Sequence, residues 1–98
     1  MSDEVSKSPA ERRRARLRFR AERRGFKEVD LIFGAFAAEF LPHLTDAELD
    51  QFEALLAAPD QDVFAWLKRE ASVPAAFDTT VFAKLHSLCM RKNPAWNV

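Results

Sequence analysis

The sequence predicts an all-α fold, a compact single domain built as a bundle of five short helices. Three observations support this prediction. Only two glycines occur in 98 residues, no segment alternates as a strand or carries a hairpin turn, and apolar residues recur at helical spacing. Nearly half of the residues are apolar, including nine phenylalanines and two tryptophans, so the chain can bury a substantial core. We expect a disordered tail over residues 1–8, a helical domain over 9–92 and a second tail over 93–98.

The first helix has a clear start. Ser8 can cap it, Pro9 suits its first position, and Glu11 completes a capping box. We expect this helix to run to about Arg24, with Gly25 as a left-handed stop.

The second helix begins near Lys27 and ends before Pro42. It has one complete apolar face (Val29, Ile32, Phe33, Phe36, Ala37, Phe40) and an apolar opposite side (Leu31, Ala35, Ala38, Leu41). We therefore expect the central, buried helix of the bundle. Gly34 in its interior is about 0.5–1 kcal/mol less favourable than alanine, which predicts that another helix crosses closely there.

Three further helices complete the bundle. A capping box over residues 45–48 starts the third, and Pro59-Asp60 separates it from a fourth that ends near Arg69. Asp78 should cap the fifth, which Asn93-Pro94 ends.

The two aromatic residues of the fourth helix, Phe64 and Trp66, fall on opposite sides of a short helix. One of them is therefore expected at the surface, where an aromatic side chain can anchor an interface.

Charge is balanced overall but not locally. The formal net charge is zero, yet residues 11–28 carry nine basic and three acidic side chains, and residues 30–70 carry two basic and nine acidic ones. A basic helix over Arg12–Arg24 can contact nucleic-acid phosphates, cover apolar surface with its long stems or dock into an acidic protein groove. Its arginines surround the helix and only Phe19 is interleaved, which favours a protein partner over nucleic acid. A nucleic-acid-binding or regulatory module remains the alternative function.

No residues form a convincing catalytic, cofactor or metal site. His43 and His86 are isolated from other metal-binding side chains, and Cys89 is the only cysteine. We therefore expect neither an enzyme nor a metalloprotein. An enzyme acting through Cys89 or a histidine is the third alternative.

The compartment is predicted from the absence of targeting signals. The longest apolar run, residues 31–38, is too short to cross a bilayer. The acidic start is unlike a signal peptide or a mitochondrial presequence. These features predict no membrane insertion and a location in the bacterial cytoplasm.

The most informative segment is Arg24-Gly25-Phe26-Lys27-Glu28. It places both signs of charge at a junction between two helices, which is typical of a docking surface. On physical grounds alone, helix capping is the better explanation for Gly25 and Glu28, but it does not explain Arg23 and Arg24 before the turn or Asp30 after it.

Two sequence blocks resemble the succinate dehydrogenase assembly factor 2 family, whose bacterial members are called flavinator proteins. The first is Arg23-Arg24-Gly25-x-x-Glu28-x-Asp30 followed by an apolar helix. The second is Leu55-Leu56 followed by Asp60-x-Asp62-x-Phe64-x-Trp66-Leu67. The family's RGxxE element maps onto Arg24, Gly25 and Glu28, with Phe26 where many members have methionine.

The resemblance implies a function as well as a fold. It implies a five-helix bundle that binds the flavoprotein subunit of succinate dehydrogenase, or that of fumarate reductase, and promotes covalent attachment of FAD to a histidine there. The chain itself would bind no cofactor stably and would act as a monomer. The partner-binding residues expected on this basis are Arg23, Arg24, Gly25, Phe26, Glu28, Asp30 and Trp66. Arg24 and Glu28 would pair with charges on the flavoprotein.

Overall fold

The computed structural model describes residues 8–92 and confirms the predicted all-α bundle, with five α-helices and no strand in that range. The helices are α1 (Pro9–Ala21), α2 (Lys27–Phe40), α3 (Asp46–Ala57), α4 (Asp60–Leu67) and α5 (Thr80–Lys92). Short 3₁₀ turns lie at Leu41–His43 and Ala75–Phe77. The two predicted tails lie outside the described residues, except for Ser8, which caps α1.

Both predicted capping boxes are confirmed. The Ser8 hydroxyl accepts from the Glu11 N–H at 3.2 Å, and the Glu11 carboxylate accepts from the Ser8 N–H at 2.8 Å. Thr45 and Glu48 repeat this exchange at the start of α3. Such reciprocal bonds satisfy backbone donors that the first helical turn leaves unpaired.

The cap of α5 differs from the prediction by one residue. The Thr79 hydroxyl, not Asp78, accepts from the Phe82 N–H at 3.3 Å. Both residue types cap well, so the sequence alone could not distinguish them.

Helix α2 forms the centre of the core, as its apolar face predicts. Phe33 and Phe36 are fully buried, and their rings lie 5.8 Å and 5.2 Å from the ring of Phe52 in α3. Buried side chains of α5 complete the core on the other side (Val81, Phe82, Leu85, Leu88, Cys89).

The opposite side of α2 is only partly buried, contrary to the prediction: Leu41 is buried and Ala35 is half-buried, but the other two residues are not. Leu31 is 66% exposed and Ala38 is exposed. The expected helix crossing at Gly34 is also wrong, because a methyl group there would meet only the Glu22 Cγ, at an ordinary 3.7 Å. The segment that passes Gly34 is the turn after α1, not another helix.

Helix α1 ends at Ala21, three residues earlier than predicted. Gly25 does adopt the expected left-handed conformation, with φ of +88°, but it lies inside a turn instead of directly at the helix end. The chain leaves the helix early because Arg24 is drawn into the bundle, as described below.

Helix α4 ends in a Schellman motif. The Glu70 N–H donates to the Ala65 carbonyl at 2.8 Å and the Arg69 N–H donates to the Trp66 carbonyl at 3.1 Å. Arg69 occupies the left-handed position, with φ of 62°, where glycine is usual. No helix in the described range is long and apolar enough to span a membrane.

Candidate partner-binding site at the α1–α2 junction

The α1–α2 junction, residues 22–28, is built around a largely buried arginine. The Arg24 side chain is only 9% exposed and pairs with the Asp60 carboxylate at 2.5 Å. Its remaining donors reach the Leu56 carbonyl at 2.7 Å and the Ala58 carbonyl at 3.1 Å. The guanidinium also lies 5.1 Å from the centre of the Phe33 ring. Arg24 therefore ties the junction to the α3–α4 connection.

This arrangement corrects the predicted role of Arg24. The family resemblance predicts that the Arg24 guanidinium pairs with a charge on the partner. In the structure, this side chain instead pairs with groups of its own chain. Each of its three side-chain nitrogens already donates to a group within the chain. The pairing that sequence reasoning missed is the one with Asp60, which lies 36 residues away. Asp60 belongs to the second block of the family resemblance, but nothing in the sequence connects it with Arg24.

The turn is also fixed from inside by Asp30. Its carboxylate oxygens accept from the Arg24 N–H at 2.8 Å and from the Gly25 N–H at 3.3 Å. Asp30 is thus a half-buried cap for the turn and does not extend an outer surface as predicted. The left-handed Gly25 lets the chain reverse there.

Five residues of the junction face solvent: Glu22, Arg23, Gly25, Lys27 and Glu28. Glu28 lies in the first turn of α2, where the helix dipole favours a carboxylate. Neither Lys27 nor Glu28 has a hydrogen-bond or ion-pair partner within residues 8–92. The junction therefore displays unpaired charge of both signs on a backbone that Arg24 and Asp30 hold in place.

The two predicted aromatic contacts have different outcomes. Phe26 is half-buried, and its ring lies 5.0 Å from that of Phe64, so it supports the junction while leaving an edge exposed. Trp66 is only 8% exposed and packs on Phe77 at 5.0 Å, so the structure contradicts its role as a surface anchor. Phe64 is the more exposed of the two aromatic residues of α4.

Some arginines of α1 point inward. Arg13 pairs with Asp50 at 2.5 Å and Glu53 at 2.9 Å in α3, and Arg14 donates to the carbonyls of Leu41 and Leu44. These two side chains hold α1 against the bundle and are not available to nucleic-acid phosphates. The basic helix is therefore less exposed than its sequence indicates.

The remaining reactive groups are poorly placed for catalysis. Cys89 is fully buried, and burial raises the pKa of its thiol to about 11, so it stays protonated and unreactive. Burial, and the nearby charge of Arg69, lower the pKa of His86, whose Nε2 accepts a hydrogen bond from Arg69. Among residues 8–92, no group of three His, Cys, Asp or Glu side chains could hold a metal ion.

Comparison with known proteins identifies one family. A family model described as flavinator of succinate dehydrogenase matches residues 15–89. A relative from Dictyostelium discoideum is 35% identical over 82 residues, which cover 84% of this chain and 58% of the relative. A relative from Mycosarcoma maydis is 44% identical over 61 residues (62% of this chain, 26% of the relative). One from Scheffersomyces stipitis is 40% identical over 61 residues (62% and 41%).

All three relatives are named succinate dehydrogenase assembly factor 2, mitochondrial. The chain spans between about a quarter and three-fifths of their lengths. Both the family match and these names confirm the resemblance, and they describe assembly of another enzyme, in agreement with the prediction that the chain is not itself an enzyme. The predicted bacterial cytoplasmic location is wrong, because these relatives are eukaryotic and named as mitochondrial. A targeting leader is separate from the folded domain, so the composition of the domain carries no information about the compartment.

Proposed function

Because the chain belongs to the Sdh5 family of flavinators of succinate dehydrogenase, we propose that it is an assembly factor for that enzyme. It binds the flavoprotein subunit, or the corresponding subunit of fumarate reductase, and promotes covalent attachment of FAD there. The observation that supports this proposal is the rigid α1–α2 junction, which exposes Gly25 and Glu28 while Arg24 is tied to Asp60.

The two charged residues of the RGxxE element have different tasks in this proposal. Arg24 fixes the shape of the turn from inside. Glu28 is displayed on that turn and meets a cationic group of the flavoprotein. Because the turn is already ordered, binding loses less conformational entropy than it would with a flexible loop. Arg23 and Lys27 add exposed positive charge on either side of the glycine.

Attachment of the flavin is chemistry of the flavin and of the flavoprotein. The flavin 8α-methyl group must become electrophilic, and a histidine of the flavoprotein must reach it. This chain contributes by holding the flavoprotein in one domain arrangement, in which the histidine lies near the flavin more often. The protonated, buried thiol of Cys89 takes no part.

The experiment that tests this proposal compares Gly25→Ala with Gly25→Arg. A Cβ atom added at Gly25 would meet no atom within 4 Å apart from its chain neighbours, but φ at this position is +88°, so both variants share a backbone strain of about 1–2 kcal/mol. Only arginine adds bulk to the exposed turn. We expect both variants to fold, Gly25→Ala to retain binding, and Gly25→Arg to lose it.

Two readouts on purified proteins measure the outcome. Calorimetry gives the affinity for the flavoprotein subunit, and fluorescence of the denatured subunit in a gel gives covalent flavin. Glu28→Gln, which keeps shape but removes the charge, should also lose affinity. Equal affinity and equal flavin in wild type, Gly25→Arg and Glu28→Gln would refute the proposed site, and no effect of the wild-type chain on flavin attachment would refute the proposed function.

A further inference from the structure

The outward face of α1 carries a groove that the α1–α2 junction does not explain. One part has a volume of about 430 Å³ and the other about 270 Å³. Phe19 and Arg20 line both parts, so the two adjoin each other. We call this feature the α1 groove; its lining residues are Ala15, Arg16, Phe19, Arg20, Arg23, Arg24 and Asp60. It leads from the middle of α1 to the junction.

The centre of the α1 groove is apolar and exposed. Phe19 is 59% exposed, and it is one of two large hydrophobic residues so exposed among residues 8–92. The Arg23 guanidinium lies over its ring, 4.1 Å from the centroid. An exposed aromatic side chain beside an arginine is a combination enriched among the residues that dominate protein interfaces.

The walls of the α1 groove are cationic. Arg16 is exposed and makes no ion pair within the described part of the chain. Arg20 is 44% exposed and 3.6 Å from Glu53, and Arg23 is 58% exposed and 3.8 Å from Glu22. Long, exposed ion pairs of this kind contribute little to stability. Arg16 is therefore available to the carboxylates of a partner, and Arg20 and Arg23 can exchange these weak ion pairs for such carboxylates.

We propose that the α1 groove binds an acidic polypeptide segment of the flavoprotein, which places an apolar side chain on Phe19 and carboxylates against Arg16, Arg20 and Arg23. The identity of this partner rests on the proposed function. Because the groove reaches the junction through Arg23 and Arg24, one partner can cover both surfaces at once.

The aromatic content of the groove favours protein over nucleic acid. Single-stranded nucleic acid is usually held by several stacked aromatic side chains, and this groove offers only Phe19. A peptide segment needs no such series, since one apolar side chain in a pocket can anchor it.

The first test is photo-crosslinking with the full chain and the purified flavoprotein subunit. Phe19 is replaced by p-benzoylphenylalanine, which keeps an aromatic ring at that position. Glu28 in the junction and Ser87, an exposed residue of α5, receive the same group in separate proteins. We expect crosslinks from positions 19 and 28 but not from 87, and the peptide joined to position 19 should contain Asp or Glu beside an apolar residue.

The second test measures affinity for the same subunit. We expect Phe19→Ala to weaken binding about tenfold or more. Arg16→Gln should weaken it several-fold at low salt and less at high salt. Arg18→Gln is the control, because Arg18 is another exposed arginine of α1 that does not line the groove. It should change affinity by less than about twofold.

The outcomes separate this inference from the proposed function. A crosslink from position 28 without one from position 19 would refute binding in the α1 groove but not the proposed function. Unchanged affinity of Phe19→Ala would have the same consequence. No crosslink from either position would overturn both proposed contact surfaces, whereas the function is tested separately by flavin attachment. A crosslink from position 19 to the chain itself would also overturn the inference. So would binding of a labelled single-stranded RNA that is lost in Arg16→Gln but not in Arg18→Gln.

Discussion

Replacement of Arg24 by alanine should destabilise the fold, although Arg24 belongs to the element that the family resemblance assigns to partner binding. The change removes the pair with Asp60 and leaves the Leu56 and Ala58 carbonyls without their donors. Removing one partner of a buried ion pair usually costs about 3–5 kcal/mol. Asp60 is 21% exposed and can regain some water, so we expect about 3 kcal/mol, at the low end of that range.

The adjacent arginine provides a matched control. Arg23 is 58% exposed and its ion pair is 3.8 Å long, so Arg23→Ala should change the unfolding free energy by less than about 0.5 kcal/mol. Arg24→Lys keeps the charge but loses the planar group that reaches the carboxylate and both carbonyls. It should therefore fall between the two, at about 1–2 kcal/mol.

The assay is urea unfolding followed by circular dichroism, with thermal melting as a second measure. For a domain of this size, 3 kcal/mol corresponds to a fall in Tm of roughly 12–24 °C. Similar unfolding midpoints for Arg24→Ala and Arg23→Ala would refute this reasoning. Arg24 would then be free to act as the partner-facing charge that the sequence alone predicts.

Three further predictions follow from single positions. Gly34→Ala should stabilise the fold by about 0.5–1 kcal/mol, since the added methyl meets only the Glu22 Cγ at 3.7 Å. A lower unfolding midpoint for this variant would contradict the prediction and show that the methyl group does not fit beside Glu22. Arg69→Gly should stabilise by about 0.5 kcal/mol in the same urea assay, because φ is 62° there and glycine adopts that conformation without strain; destabilisation would mean that the bond to His86 outweighs the strain. Stability should also fall as pH rises from about 9 to about 11, because burial raises the pKa of Cys89 to about 11 and the unfolded chain ionises first. Urea unfolding at pH 8 and 10 should show this loss in wild type and a smaller one in Cys89→Ala, and identical losses would contradict it.

The helices could be predicted from sequence because their determinants are local. Ser8 with Glu11 and Thr45 with Glu48 lie three residues apart, so each capping box is visible in the sequence and forms as expected. The apolar face of α2 repeats at helical spacing and is buried as a unit. Sequence patterns that lie within a single helix, as these do, depend little on the rest of the fold.

The errors arose where distant contacts decide the outcome. The early end of α1 follows from the reach of Arg24 to Asp60, 36 residues away, which no local pattern reveals. The burial of Trp66 rather than Phe64 depends on the packing of Trp66 against Phe77 in the connector before α5. The periodicity of a helix of eight residues is too short to fix which side faces the core.

These long-range contacts also explain why the candidate site needs its arginine. The exposed residues of the α1–α2 junction, Gly25 and Glu28, lie on a turn whose backbone donors bind Asp30 and whose side-chain donors bind the α3–α4 connection. A lysine at position 24 would supply the same charge but not the fork that reaches two carbonyls and a carboxylate together. The turn would then have to be ordered during binding, at roughly 0.5–1.5 kcal/mol for each side chain immobilised. Under the proposed function, Arg24 would thus act on the partner through the shape of the turn, while Glu28 would act on it directly.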